Sequence, residues 1–140
     1  MEKINFVNGQ SPYVSATNLN NLQDNVENAI NKNATYSNNE IEIGTWIDGK
    51  PLYRKVVNFG TLPNSSSKDI AHEIQDLKRI VKLEGFAGSS INKGGITLPH
   101  ATSNPVALYA GDRDVSVLTV DDKSIYTETY ICVTYTKTTD

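Results

Sequence analysis

The apolar residues change their spacing once along the chain, near Glu40, and that change decides what the chain can fold into. Before it, Leu19, Leu22, Val26, Ala29 and Ile30 recur at steps of three and four, with Asn, Gln, Asp and Glu between them, which is the period of an amphipathic helix. After it, Ile41, Ile43, Thr45 and Ile47 alternate with Glu42, Gly44, Trp46 and Asp48, which is the period of a strand. The spacing predicts two parts: an N-terminal arm, helix and polar connector over residues 1–39, and a β domain over residues 40–140.

Residues 1–14 read as an extended arm, in which Ile4, Phe6 and Val7 precede the turn residues Asn8, Gly9 and Pro12. A helix of about 16 residues follows, with Ser15 or Thr17 as its cap, Asp24 and Glu27 along its polar side, and a stop at Asn31 to Asn33. Burying its apolar side chains returns roughly 1.5 to 3 kcal/mol each. Ordering its backbone costs about 1 to 2 kcal/mol per residue, and a helix of this length is marginal alone. It must therefore dock. One partner is its own domain; the other is further copies of itself about an axis, with Leu19, Leu22, Val26, Ala29 and Ile30 as the seam. Spacing alone leaves both open.

In the β domain, residues 41–47 and 52–59 read as a hairpin around Asp48-Gly49-Lys50-Pro51. Residues 60–68 read as a loop, and 69–76 fit either a helical turn or an irregular crossing segment. Further strands are expected at 79–87, 96–99, 105–110 and 114–120. A long final strand over 124–136 is expected to place Ile125, Thr127, Thr129, Ile131, Val133 and Tyr135 on one face, and Tyr126, Glu128, Tyr130, Cys132 and Thr134 on the other. Roughly six or seven short strands with frequent turns argue for a β-sandwich. The expected fold class is thus mainly β, an arm and short α-helix followed by a β-sandwich, and the resemblance described below makes that helix a trimerising one.

Several function classes lose support at once. The 13 Lys and Arg against 16 Asp and Glu give a net charge of -3 with no basic face, which disfavours nucleic acid as a partner. Apolar runs such as Val56-Val57 and Ile80-Val81 fall far short of the roughly 20 residues of a membrane span, and none in the chain approaches it. Met1 to Phe6 carries no secretory signal, so synthesis in the cytoplasm is expected. A single cysteine, Cys132, excludes an internal disulfide framework, and with two separated histidines it leaves no zinc cluster. Cys132 reads as a small buried residue of the last strand, and His72 and His100 as surface or loop residues without a catalytic partner. No Gly-x-Ser-x-Gly elbow, carboxylate pair or phosphate loop stands out, so the protein is not expected to be an enzyme or to need a cofactor. The acidic residues Asp112, Asp114, Asp121 and Asp122 lack the spacing of a calcium loop; Asp112, Asp121 and Asp122 read as solvated turn residues, one of them paired with Arg113.

What remains is a set of aromatic residues. Alternation puts Trp46 on the face of Glu42 and Asp48, away from the three isoleucines, where a neighbouring loop, a second protomer or a sugar ring must cover it. Tyr53 and Tyr109 can flank such a ring, with Asp112 and Arg113 as polar contacts. Tyr126 and Tyr130, on one predicted strand face with Glu128, can line either a trimer interface or a saccharide groove.

Three stretches resemble the C-terminal receptor-binding modules of tail fibres from phages and prophages of Gram-positive bacteria. One runs from Val7 through Asn8-Gly9, Pro12, Ser15-Ala16 and Asn18-Leu19-Asn20 to Gln23-Asp24-Asn25; the most specific is Ile43-Gly44-Thr45-Trp46-Ile47-Asp48-Gly49-Lys50-Pro51-Leu52-Tyr53-Arg54-Lys55. The third joins Asp112-Arg113-Asp114 and residues 126–130 to the closing Tyr135-Thr136-Lys137-Thr138-Thr139-Asp140, and implies that Asp140 is a natural end. The region 60–104 carries no such motif. The resemblance implies a homotrimer located in the virion, joined to other tail or baseplate proteins, whose tip recognises a cell-surface glycan or protein. It also favours the axial seam over the docked helix. A module that only caps or connects a fibre is the alternative.

Overall fold

A computed structural model describes residues 16–140 apart from residue 92, and the chain divides into two units that meet between Thr35 and Tyr36. The expected arm over 1–14 and the expected cap at Ser15 lie outside the described residues. The first unit holds helix α1, Ala16–Ala34, which runs past the expected stop at Asn31 to Asn33. Its end falls instead at Thr35, whose backbone N–H at 2.9 Å and hydroxyl at 2.6 Å both donate to the Asn31 carbonyl. On its polar side Gln23 donates to Glu27 at 3.1 Å, one turn away. Of the apolar stripe, Leu19 (53%), Leu22 (43%), Val26 (41%) and Ile30 (60%) are exposed in the single chain, as is Ala29.

The second unit is built of two antiparallel sheets in a sandwich-like arrangement. Its strands are β1 (Ile41–Thr45), β2 (Pro51–Asn58), β3 (Ser67–Ala71), β4 (Leu77–Gly88), β5 (Gly95–Leu98), β6 (Val106–Ala110), β7 (Asp114–Thr119) and β8 (Glu128–Lys137). A five-stranded sheet has the order β1-β2-β8-β4-β5, and a three-stranded sheet the order β3-β7-β6. The odd-numbered residues of β8 face inward: Thr129, Ile131, Val133 and Tyr135 are fully buried. They meet Val57 of β2 and Ala87 of β4 in the same sheet, Val115, Val117 and Val106 of the other, and Phe59, Leu62 and Ile74 from the crossing segments.

Three expectations need correction. First, the final strand begins at Glu128, not at residue 124. The Asp122 carboxylate accepts the Ser124 N–H at 2.9 Å, Tyr126 donates to the Lys123 carbonyl at 3.0 Å, and the Tyr126 carbonyl accepts from Leu62 at 2.9 Å, so this backbone is committed to a turn before a ladder can start. Secondly, a strand, β3, occupies residues previously read as loop and irregular crossing. Its inward positions are Lys68, opposite Val117, and Ile70, opposite Val115. Lys68 donates to the carbonyls of Phe59 (2.9 Å) and Thr61 (2.7 Å), with its ammonium 4.8 Å from the Phe59 ring centre. An inward lysine on an edge strand erases the apolar alternation that would mark it. Thirdly, β1 ends at Thr45 with an irregularity between Glu42 and Gly44, so strict alternation stops there. Trp46 and Ile47 then lie in the turn, with Ile47 90% exposed rather than beside Ile41 and Ile43.

The crossing between β3 and β4 is held by His72, which is a buried loop residue and not a surface one. Its Nδ1 accepts the Ile74 N–H at 3.1 Å, which leaves Nε2 to donate to the Gly111 carbonyl at 3.3 Å, while its backbone N–H donates to the Arg113 carbonyl at 3.0 Å. One imidazole thus ties the β3–β4 crossing to the β6–β7 turn. His100 differs: its backbone N–H and carbonyl exchange hydrogen bonds with Val106, and any residue can make them. Replacing His72 with Ala is expected to lower the unfolding free energy by about 2 to 4 kcal/mol, because the packing of a buried ring is lost, the buried Ile74 N–H loses its acceptor and the tie to the Gly111 carbonyl is cut. His100→Ala is expected to cost under about 1 kcal/mol. Denaturant unfolding of the two variants, with an equal effect as the contrary result, checks the assignment.

Candidate functional site

The outward face of the five-stranded sheet carries rows of side chains fixed by register. Thr97 of β5, Phe86 of β4, Tyr130 of β8 and Asn58 of β2 are direct cross-strand partners and form one row. Glu84, Cys132 and Val56 form the next, and Lys82, Thr134 and Arg54 the one after. Phe86 and Tyr130 are 48% and 51% exposed, so two aromatic side chains lie open on this face, beside Val56 and Cys132 and among polar and charged residues.

The connector converts this face into a groove. β1 pairs with β2 only along residues 51–54, and beyond it the Ser37 carbonyl accepts the Val56 N–H at 2.8 Å. The Ser37 hydroxyl in turn accepts the Asn39 N–H at 3.0 Å. Tyr36 is therefore anchored beside Val56, with the Arg54 guanidinium 4.0 Å from its ring centre. Tyr36, Ser37 and Asn38 form the wall of a groove of about 670 Å³ whose floor is Val56, Cys132, Glu84, Phe86 and Tyr130, with Thr97 at the far side. This volume is typical of a small-ligand site. Glycine shapes one end: a Cβ on Gly95 would fall onto the Ala87 carbonyl and within 2.9 Å of the Phe86 ring, so only glycine lets β5 and that ring lie as they do.

The electrostatics are mild. Glu84 pairs with Lys82 at 3.4 Å, both side chains more than half exposed, which is a screened surface pair. Burial pushes the Cys132 thiol up, away from the thiolate that a nucleophile needs. Among the described residues no cluster of His, Cys, Asp and Glu has the geometry to hold a metal ion, and no helix is long and apolar enough to cross a membrane.

The residues singled out from the sequence are dispersed. Only Tyr130 lies in the groove. Tyr109, Asp112 and Arg113 do converge, in a depression of about 400 Å³ at the β6–β7 turn with Asp69, Asp114 and Ser116. Asp121 is paired with Lys123 at 3.0 Å rather than with Arg113. Tyr126 packs against the core and does not share a strand face with Tyr130. Trp46 closes the β1–β2 turn, donating from its backbone to Lys50 (2.8 Å) and accepting from Gly49 (2.9 Å). Tyr36, Asn38, Glu84, Phe86 and Thr97 escaped the sequence reading. The signal for Phe86 was its parity: it shares a face with Lys82 and Glu84 in the predicted strand over 79–87, an aromatic among charges.

Tyr53 faces inward, stacked on Tyr135 with ring centres 5.9 Å apart. The Tyr135 hydroxyl donates to Glu40 at 2.6 Å, and Lys137 donates to both oxygens of the same carboxylate at 2.9 and 3.2 Å. Lys50 donates to the backbone of Asp140. Comparison with protein-family models, curated proteins and solved structures finds no match to this chain.

This cluster makes stability depend on pH at both ends of the scale. Burial raises the Glu40 carboxyl, but the Tyr135 hydroxyl and Lys137 ammonium outweigh it, so the net shift is below the ordinary 4.5. Glu40 therefore contributes stability that is whole above that value and is lost as the pH falls through the lowered one. Burial and the neighbouring Asp140 push the Tyr53 phenol up to about 12, and burial with Glu40 raises Tyr135 further. Their contribution is whole below the ordinary 10.0 and is lost as the pH climbs toward 12. Ultraviolet titration of the 7 tyrosines is expected to show an alkaline fraction that titrates only as the protein unfolds. Complete titration near 10.0 would contradict the burial of this pair.

Proposed function

We propose that this chain is the receptor-binding tip of a phage or prophage tail fibre, a non-enzymatic homotrimer in the virion that recognises a saccharide or protein on a Gram-positive host. The observation that carries the reading is the open groove on the outward face of the five-stranded sheet, where Phe86 and Tyr130 stay half exposed beside the Tyr36 wall. Exposed aromatic rings gathered in a groove on a rigid sheet mark an interaction surface, which supports the reading. The exposed stripe of α1 supports the trimeric part, because Leu19, Leu22, Val26 and Ala29 repeat with coiled-coil spacing. Tail or baseplate proteins are the attachment partners in this reading. Three shallow sites on one assembly gain roughly 100-fold to 10,000-fold in avidity, so no single site need be deep.

Two measurements test it. The mass in solution is expected to be three times 15.4 kDa, about 46 kDa. Leu22→Asp combined with Val26→Asp is expected to bring it to that of one chain, with the β unit still folded; a monomeric parent protein removes the trimer. Labelled protein is expected to bind some Gram-positive strains saturably and others not at all. An intact trimer that binds none leaves the module a structural cap or connector.

A further inference from the structure

We infer that the groove walled by Tyr36 and floored by Phe86 and Tyr130 takes a neutral pyranose segment of a wall polysaccharide, and not a polyol-phosphate chain; the inference rests on the receptor-binding reading above.

A pyranose presents two chemistries at once: an apolar face of C–H groups and a rim of hydroxyls. The groove presents the complement of both. Phe86 and Tyr130 are direct neighbours across β4 and β8, so two half-exposed rings project from adjacent positions on one face, with the strand spacing of about 4.8 Å between their backbones, and a sugar face can stack there. Phe86 leans into the space left open by the missing side chain of Gly95, so β5 leaves room for its ring before any ligand arrives. Around them stand a hydroxyl (Thr97), an amide (Asn38) and a carboxylate (Glu84), which between them donate to and accept from sugar hydroxyls. From β2 to β5 the sheet spans three strand spacings, about 14 Å, which is room for a short oligosaccharide and not only a single ring.

Charge decides between the two polymers of a Gram-positive wall. A polyol phosphate carries a negative charge on every repeat and needs cations that converge on it. The charged side chain lining the groove is Glu84, and neither Lys82 nor Arg54 is among the residues that line it, so no cations converge there on a phosphate. The nearest cations are engaged: Lys82 pairs with Glu84, and the Arg54 guanidinium lies over the Tyr36 ring. A neutral chain needs no such cations.

Cys132, the only cysteine, lies on the floor and reports occupancy without a label in the ligand. The probes are the neutral polysaccharide fraction released from walls of strains that bind the protein, or from the whole panel if none does, and poly(glycerol phosphate). The neutral fraction is expected to slow modification of Cys132 by a thiol reagent several-fold at saturation, and poly(glycerol phosphate) to leave it unchanged. Phe86→Ser and Tyr130→Ser, each at a half-exposed position outside the core, are expected to weaken binding by about 5- to 10-fold apiece, whereas Tyr130→Phe keeps the ring and stays within about 2-fold. Protection by poly(glycerol phosphate) instead of the neutral fraction overturns the inference. Strain-selective cell binding that survives both serine variants also overturns it, while the receptor-binding reading stands with its site elsewhere or with a protein as receptor. Protection by the neutral fraction without binding to any cell supports the groove chemistry and removes the tail-tip reading. No protection and no cell binding removes both.

Discussion

With a hydrogen-bonded neighbour along each of its edges, β8 fixes two surfaces at once. Its odd residues from Thr129 to Tyr135 are committed to the core, and its even residues are thereby committed to the outward face. A slip of one residue against either β2 or β4 would exchange Ile131 and Val133 for Tyr130 and Cys132 in the interior, so burial of the odd set enforces the register. The same register aligns Thr97, Phe86 and Tyr130 into one row and Glu84, Cys132 and Val56 into the next. The groove is thus the reverse side of the core, positioned by burial elsewhere.

Polar groups rather than apolar ones govern the passages between the two sheets. The chain crosses after β2, β3, β5 and β7, and the first two crossings leave backbone groups that no ladder can satisfy. Lys68 satisfies the carbonyls at residues 59 and 61, and His72 bridges the second crossing to the β6–β7 turn. Thr119 serves similarly, its hydroxyl donating to the Pro63 carbonyl at 3.1 Å. An apolar residue at any of these positions would leave those backbone groups without their side-chain partners.

Where the sequence was legible, a physical period stood behind it. The change from helix to strand spacing near Glu40 falls between α1 and β1, and the strands β4, β5, β6 and β7 each match an expected strand with small shifts at their ends. β3 was hidden because Lys68 replaces an apolar residue on its inward face. The start of β8 was misjudged because residues 124–127 continue the alternation by composition alone, while the Asp122–Ser124 turn, a local hydrogen bond, overrides it. The groove was largely illegible for a different reason. Its residues come from four strands and the connector, and which of them meet depends on pairing partners that no local pattern encodes. Trp46, the most conspicuous residue in the sequence, went to a tight turn; Phe86, an inconspicuous one, went to the groove.

The connector has a mechanical consequence. Tyr36 is a wall of the groove, Ser37 is bonded to β2 at Val56, and Glu40 is clamped by Tyr135 and Lys137 of β8. A load applied at the groove and drawn through the chain toward α1 passes along these few residues into the two central strands of the larger sheet, bypassing the three-stranded sheet. The strands that bear the pull are then β2 and β8, the second of which also carries Tyr130 of the groove, and the half of the sandwich formed by β3, β6 and β7 is spared tension.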